Sequence, residues 1–178
     1  MQIANAQMPT SFRPGDHIVY PAHGVGRVMG VEKQSVAGID SDVFVISFEQ
    51  DKMMLRVPMA KAKSCGMRPL ASGEVVDQAM KTLQGRARIK RTMWSRRAQE
   101  YEAKINSGDL VSIAEVVRDL HRASDQPEQS YSERQLYESA LDRMARELAA
   151  VGKISRDDAV VRVTNSLASK KQAAQAAA

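Results

Sequence analysis

Between Gln84 and Ala98 the chain carries Arg86, Arg88, Lys90, Arg91, Arg96 and Arg97 and no carboxylate, and its only tryptophan, Trp94, stands among them beside Met93. Guanidinium and ammonium groups at this density suit phosphate, and phosphate binding alone requires no indole. Burial is the usual fate of a tryptophan, yet burying this one would draw its cationic flanks toward a core. If a helix opens near Ser95, Trp94 lies at or just before its first turn with cations on both sides. Cations there oppose the helix macrodipole by a few tenths to about 1 kcal/mol, a cost that an external anion offsets. Phosphate is the natural anion, because helix N-terminal amides and guanidinium groups both bind it. The ring adds what a cation cannot, a wedge that holds a base step unstacked at a cost of a few kcal/mol. The stretch therefore points to DNA or RNA gripped through phosphates with little sequence preference, and distorted by an aromatic side chain.

Other constellations that could carry chemistry are absent from the spacing. His17, His23 and His121 are scattered and supply no metal-ligand pattern, so no metal site and no cofactor are expected. Cys65 has Lys61 and Lys63 nearby but no histidine or asparagine companion, and reads as a packing residue rather than a nucleophile. The run "HGVGRV" lacks a full dinucleotide fingerprint, and its glycines read as a turn and a close strand contact. No catalytic residue is expected and the chain does not read as an enzyme.

The elements that must position the basic stretch fall into two halves. Of 178 residues, 26 are Lys or Arg and 21 Asp or Glu, for a net charge of +5. The single cysteine fits a reducing compartment, and neither a signal peptide nor a membrane-spanning run is visible, so a cytoplasmic protein without a membrane partner is expected. From residue 12 to 68, Val, Ile and Gly alternate with polar residues between turn signals, which predicts short antiparallel strands closing into a small SH3-like barrel. From 69 to 169 the period becomes helical and predicts a bundle of about five helices. Ser72 or Gly73 caps the first helix, and Gly108 ends the one that follows the tryptophan. Leu110, Ile113, Val117 and Leu120 line one face of the next. Ser130 and Ser132 offer capping boxes for the fourth, and Ser155 with Asp158 repeats the device for the last, about 156–169. Residues 1–11 read as a flexible N-terminus and 170–178 as a disordered tail. The fold class is α+β, a small β-barrel followed by an all-α domain.

"RPGDHIVYPAHGVGRV" (13–28), "LRVP" (55–58), "WSRR" (94–97), "SGDL" (107–110) and "IAEVVRDL" (113–120) stand in order along the chain. Together they resemble the CarD/CdnL family of bacterial transcription regulators, over residues 12–166. The resemblance implies a Tudor-like or SH3-like barrel that docks on the β subunit of RNA polymerase holoenzyme, and a helical domain that touches promoter DNA. It implies that Trp94 enters the minor groove at the upstream edge of the transcription bubble. Arg96, Arg97 and Arg91 would be its phosphate anchors, with Lys90 and Met93 beside them. The open complex would be stabilised, with most effect where it is short-lived, as at ribosomal RNA promoters. The protein would act as a monomer when bound, in the cytoplasm and associated with the nucleoid through polymerase. On the barrel, Arg56 in the "RVP" strand would face polymerase with Lys33, Gln34 and Val36 of "KQSV". Some relatives carry arginine at Gln34 and a basic residue at Gln99, so individual contacts differ here. The competing reading is a protein–protein adaptor whose basic helical half binds acidic side chains and has no DNA wedge.

Overall fold

The computed structural model describes residues 12–176, with side chains through Ser169. The expectations for 1–11 and for the last two residues lie outside the described residues. The first half is one antiparallel sheet of β1 (His17–Tyr20), β2 (Gly24–Val36), β3 (Ile39–Phe48), β4 (Met53–Pro58) and β5 (Arg68–Pro69), in the order β4-β3-β2-β1-β5. Ala37 and Gly38 join β2 to β3 with φ of 52° and 77°, the two successive positive values of a tight hairpin turn. The ladder shifts register between Val28 and Gly30, a bulge that bends the strand. Alternation then sends Ile18, Val28, Phe44, Ile46, Phe48 and Val57 to one face, where Ala62 of the short helix α1 (Met59–Ala62) and Met67, which follows that helix, join them in the core. Each large side chain buried there contributes about 1.5–3 kcal/mol before entropy is charged. Gly26 is fixed by this packing, because a β-carbon would lie 2.7 Å from Ile46 Cγ2 and Phe48 Cε1. The close strand contact expected of "HGVGRV" is thereby present, and Gly24 supplies the turn at φ 79°.

Five helices follow: α2 (Gly73–Gln84), α3 (Trp94–Asn106), α4 (Leu110–Leu120), α5 (Tyr131–Gly152) and α6 (Arg156–Ala176). Ser72 caps α2, Asp109 caps α4, and Ser130 with Glu133 forms the capping box of α5. Ser155 Oγ accepts from Asp158 N at the start of α6, 3.1 Å away. The apolar stripe of α4 is buried on nearly every side, so this helix is the centre against which α2, α3 and α5 pack, while α6 packs on α5 and α2; Leu83, Val116, Val117, Met144, Leu148 and Val163 form the shared core. Two short elements, α1 and β5, were not expected, since two to four residues carry no period. The segment around Pro69 is thus part of the sheet, with Ile18 opposite Pro69 and Val19 opposite Arg68. Helix α6 runs to Ala176, beyond the expected end near Ser169; its last residues are Lys, Gln and Ala, strong helix formers with no breaker among them.

A polar seam joins the halves. Arg68 donates to Glu147 Oε1 and Oε2 at 2.7 and 3.0 Å and to the Gly108 carbonyl, and Ala71 N donates to Glu147 Oε1. Arg143 of α5 donates to the Pro21 and Ala22 carbonyls in the β1–β2 turn at 2.7 and 2.5 Å. Burial holds the Arg143 pKa below the usual guanidinium range. Glu147 is 2% exposed and fully engaged, as a buried carboxylate must be.

Candidate nucleic-acid interface

Helix α3 begins at Trp94 itself, so the indole occupies the first helical position. Its N-cap, Met93, makes no side-chain cap bond, and the first turn holds no acidic residue. The helices α2, α4 and α5 all have a capping side chain. Here Arg96 N and Arg97 N reach only the Met93 carbonyl, at 3.1 Å each. The leading amides of α3 therefore add their partial positive charge to Arg91 and Arg96, which are exposed. Arg91, Thr92, Met93, Ser95, Arg96 and Gln99 line a shallow concavity of about 480 Å³ at this end. Met93 is 78% exposed at its rim.

Trp94 is half-buried against the helical core. Its Nε1 donates to Ser132 Oγ at 3.0 Å, its ring lies 6.4 Å from that of Tyr101, and the Arg97 guanidinium sits 5.3 Å from its centroid. The ring is thus seated on its own bundle rather than projecting freely from the patch. Arg97 also faces Glu133 at 3.9 Å, and Arg122 approaches the same oxygen at 3.8 Å. Lys90 is paired with Glu100 at 2.9 Å. That hydrogen bond holds the Glu100 carboxyl below its ordinary range, assisted by Lys90, Arg96 and Lys104 charges and opposed by desolvation. The structure therefore gathers Lys90, Arg91, Met93, Trp94, Arg96 and Arg97 at one end of α3. Sequence reasoning missed the roles of Ser132, Glu133 and Glu100. The first two were legible only as caps, and nothing local links position 132 to a residue 38 positions earlier.

The second group lies on the sheet. Arg56 on edge strand β4 pairs with Val45, and Val45 pairs with Gly30 of β2; Glu32 of β2 pairs with Val43. Arg56 Nε reaches Glu32 Oε2 at 3.2 Å across β3, an exposed ion pair on the face opposite Phe44, Ile46 and Val57. Lys33, Gln34 and Val36 follow on the same strand, all exposed, with Val36 opposite the exposed Ile39 at the hairpin end. Arg56 and the "KQSV" residues thus share one ribbon, with Glu32 the partner that sequence reading did not supply.

Among the described residues, no group of three or more His, Cys, Asp or Glu side chains is placed to hold a metal ion. His23 stacks against Tyr20 at 5.6 Å and lies 5.4 Å from Phe48. His121 caps the end of α4 and its Nδ1 lies 3.1 Å from the Tyr137 hydroxyl. Cys65 is exposed after α1 rather than packed inside. No described helix is long and apolar enough to cross a membrane.

Comparison with known proteins covers both halves. The family profile "CarD-like/TRCF RID domain" matches residues 12–71, and "CarD, C-terminal domain" matches residues 78–164. The chain is similar to YdeB, a candidate transcription factor of Bacillus subtilis (strain 168), at 28% identity over 140 residues, which span 79% of this chain and 92% of that protein. It is also similar to the solved chain CdnLNt from Myxoccoccus xanthus, at 40% identity over 38% of this chain and 94% of that one, with a TM-score of 0.31. With profiles of one family matched in order over the sheet and the bundle, the chain belongs to the CarD/CdnL family of bacterial RNA polymerase-binding transcription regulators.

Proposed function

We propose that this regulator holds promoter DNA open during initiation, docking on the polymerase β subunit through the β2–β4 ribbon and contacting the upstream edge of the bubble through the start of α3. The observation that carries the reading is the uncapped first turn of α3, which presents exposed cations and a half-exposed indole where the other bundle helices present neutral or acidic caps. Arg91, Arg96 and Arg97 anchor phosphates, with Lys90 joining once it leaves Glu100, and Trp94 with Met93 abuts the base step. Arg56, Lys33, Gln34 and Val36 meet polymerase. The two modules, 12–68 and 69–169, act as one monomer in the cytoplasm, carried to the nucleoid by polymerase.

No covalent step is involved. A factor that binds the open promoter more tightly than the closed one shifts the equilibrium by that difference alone, and ~1.4 kcal/mol changes the ratio about tenfold. Docking on polymerase raises the local concentration of the DNA module, so weak affinity for free DNA is expected.

The test is a titration of duplex and bubble DNA of equal length, with the chain at several salt concentrations. A steep salt dependence of roughly three phosphate contacts, and a preference for the bubble lost in Trp94→Ala, are expected. A shallow slope with no preference would favour an adaptor whose basic face binds acidic side chains.

A further inference from the structure

We infer that Ser132 is a positioning residue for the Trp94 wedge, an inference that rests on the wedge reading above. The capping of α5 does not need it. Ser130 Oγ receives Glu133 N and Glu133 Oε2 receives Ser130 N, at 3.3 and 3.0 Å, which completes the box without residue 132. Among the described residues, Ser132 Oγ is hydrogen-bonded to the indole and to Ser130 Oγ, the latter at 3.5 Å. The shorter of the two is the 3.0 Å bond from Trp94 Nε1.

That bond matters because the start of α3 has few other ties. Met93 is exposed and caps nothing, and the first turn has no acidic side chain to hold it. The indole has a single donor, so turning the ring about its side-chain torsions breaks its bond to α5. Arg97 closes the seat from the other side. It lies over the ring and faces Glu133, and its Nε is buried without an acceptor, so packing rather than a full set of hydrogen bonds fixes it. The α5 N-terminus thus holds both members of the wedge, the ring through Ser132 and its phosphate anchor through Glu133.

The chemistry of the seat suits DNA. An acceptor for the indole N–H beside a phosphate backbone must add no negative charge, and a hydroxyl satisfies this where a carboxylate would repel the strand. A ring already fixed in orientation loses less entropy on insertion than a free one.

Because Trp94 is the only tryptophan, its fluorescence reports this seat directly, without DNA or polymerase. Ser132→Ala and Ser132→Thr proteins are compared with wild type in acrylamide quenching of emission, and these together with Trp94→Ala in open-complex lifetime with the cognate polymerase. Ser132→Ala should raise quenching and shorten the lifetime about fivefold, equivalent to about 1 kcal/mol. Ser132→Thr, which keeps the hydroxyl, should restore both. Quenching in Ser132→Ala that matches wild type, or a threonine variant no better than alanine, overturns the inference. If Trp94→Ala leaves the lifetime at the wild-type value, the wedge reading fails instead, while the quenching arm still decides whether Ser132 holds the ring.

Discussion

An indole that donates to Ser132 and lies beneath a guanidinium has lost much of its rotamer freedom before any DNA arrives. The neighbouring cations are in a different condition, because Lys90 is held by Glu100 while Arg91 and Arg96 are exposed. DNA must compete with Glu100 for the Lys90 ammonium and with Glu133 for the Arg97 guanidinium. Glu100→Gln should therefore tighten binding to duplex or bubble DNA and steepen the salt slope by roughly one contact, about 0.9 in log–log form. Unchanged affinity in a salt titration would place Lys90 outside the interface. The same pair fixes a pH dependence. The folded pKa of Glu100 lies below its unfolded value, so its contribution is present above the unfolded value and is lost as pH falls through the folded one. Lys90 is released by protonation only in acid, and at neutral pH by phosphate. The pair of Arg56 with Glu32 is likewise exposed and worth about 0–1 kcal/mol to the fold. Arg56→Glu should abolish capture by polymerase while its thermal midpoint stays within a few degrees of wild type. At this scale the sequence shows which cations cluster, because charge is read directly. It hides their carboxylate partners, which come from 10 and 24 residues away.

Among the elements, α3 departs most from local rules; its cations at a helix N-terminus are visible in the sequence, and the missing cap appears only in the structure. Met93→Asp would supply the missing N-cap acceptor and complement the dipole. It should raise stability by about 0.5–1 kcal/mol in a denaturant titration and weaken DNA binding, the trade expected where a site is left unstable for function. Weakened DNA binding without any gain in stability would mean that the first turn is held by something other than its open amides. By contrast Ser130→Ala, which removes a working cap, should cost about 1 kcal/mol. The long helices and strands were legible because each carries a cap or a period. Elements α1 and β5 were not, since tertiary pairing with the sheet creates them. Ser130 and Ser132 were both candidates for the α5 cap, and the structure separates them, giving the cap to Ser130 and the indole to Ser132.

For the whole molecule, the seam of Arg68, Glu147 and Arg143 sets the distance from the sheet ribbon to the start of α3. None of these residues was singled out in the sequence, because an ion pair 79 positions apart leaves no local trace. Glu147→Ala would leave Ala71 N without its acceptor and Arg68 with carbonyls only, at a cost of about 3 kcal/mol, which for a chain of this length lowers Tm by roughly 6–12 °C. A shift under 2 °C in a thermal melt would show that the seam is ornamental. If the two contact surfaces act together across that seam, each is necessary and neither suffices. The most direct test is the lifetime of open complexes formed by the cognate polymerase on an unstable promoter, with wild type, Trp94→Ala and Arg56→Glu chains side by side. The account predicts that wild type lengthens the lifetime and that both variants fail, the first while still bound to polymerase and the second because it is not. A wild-type chain without effect, or a Trp94→Ala chain that matches it, would contradict the wedge.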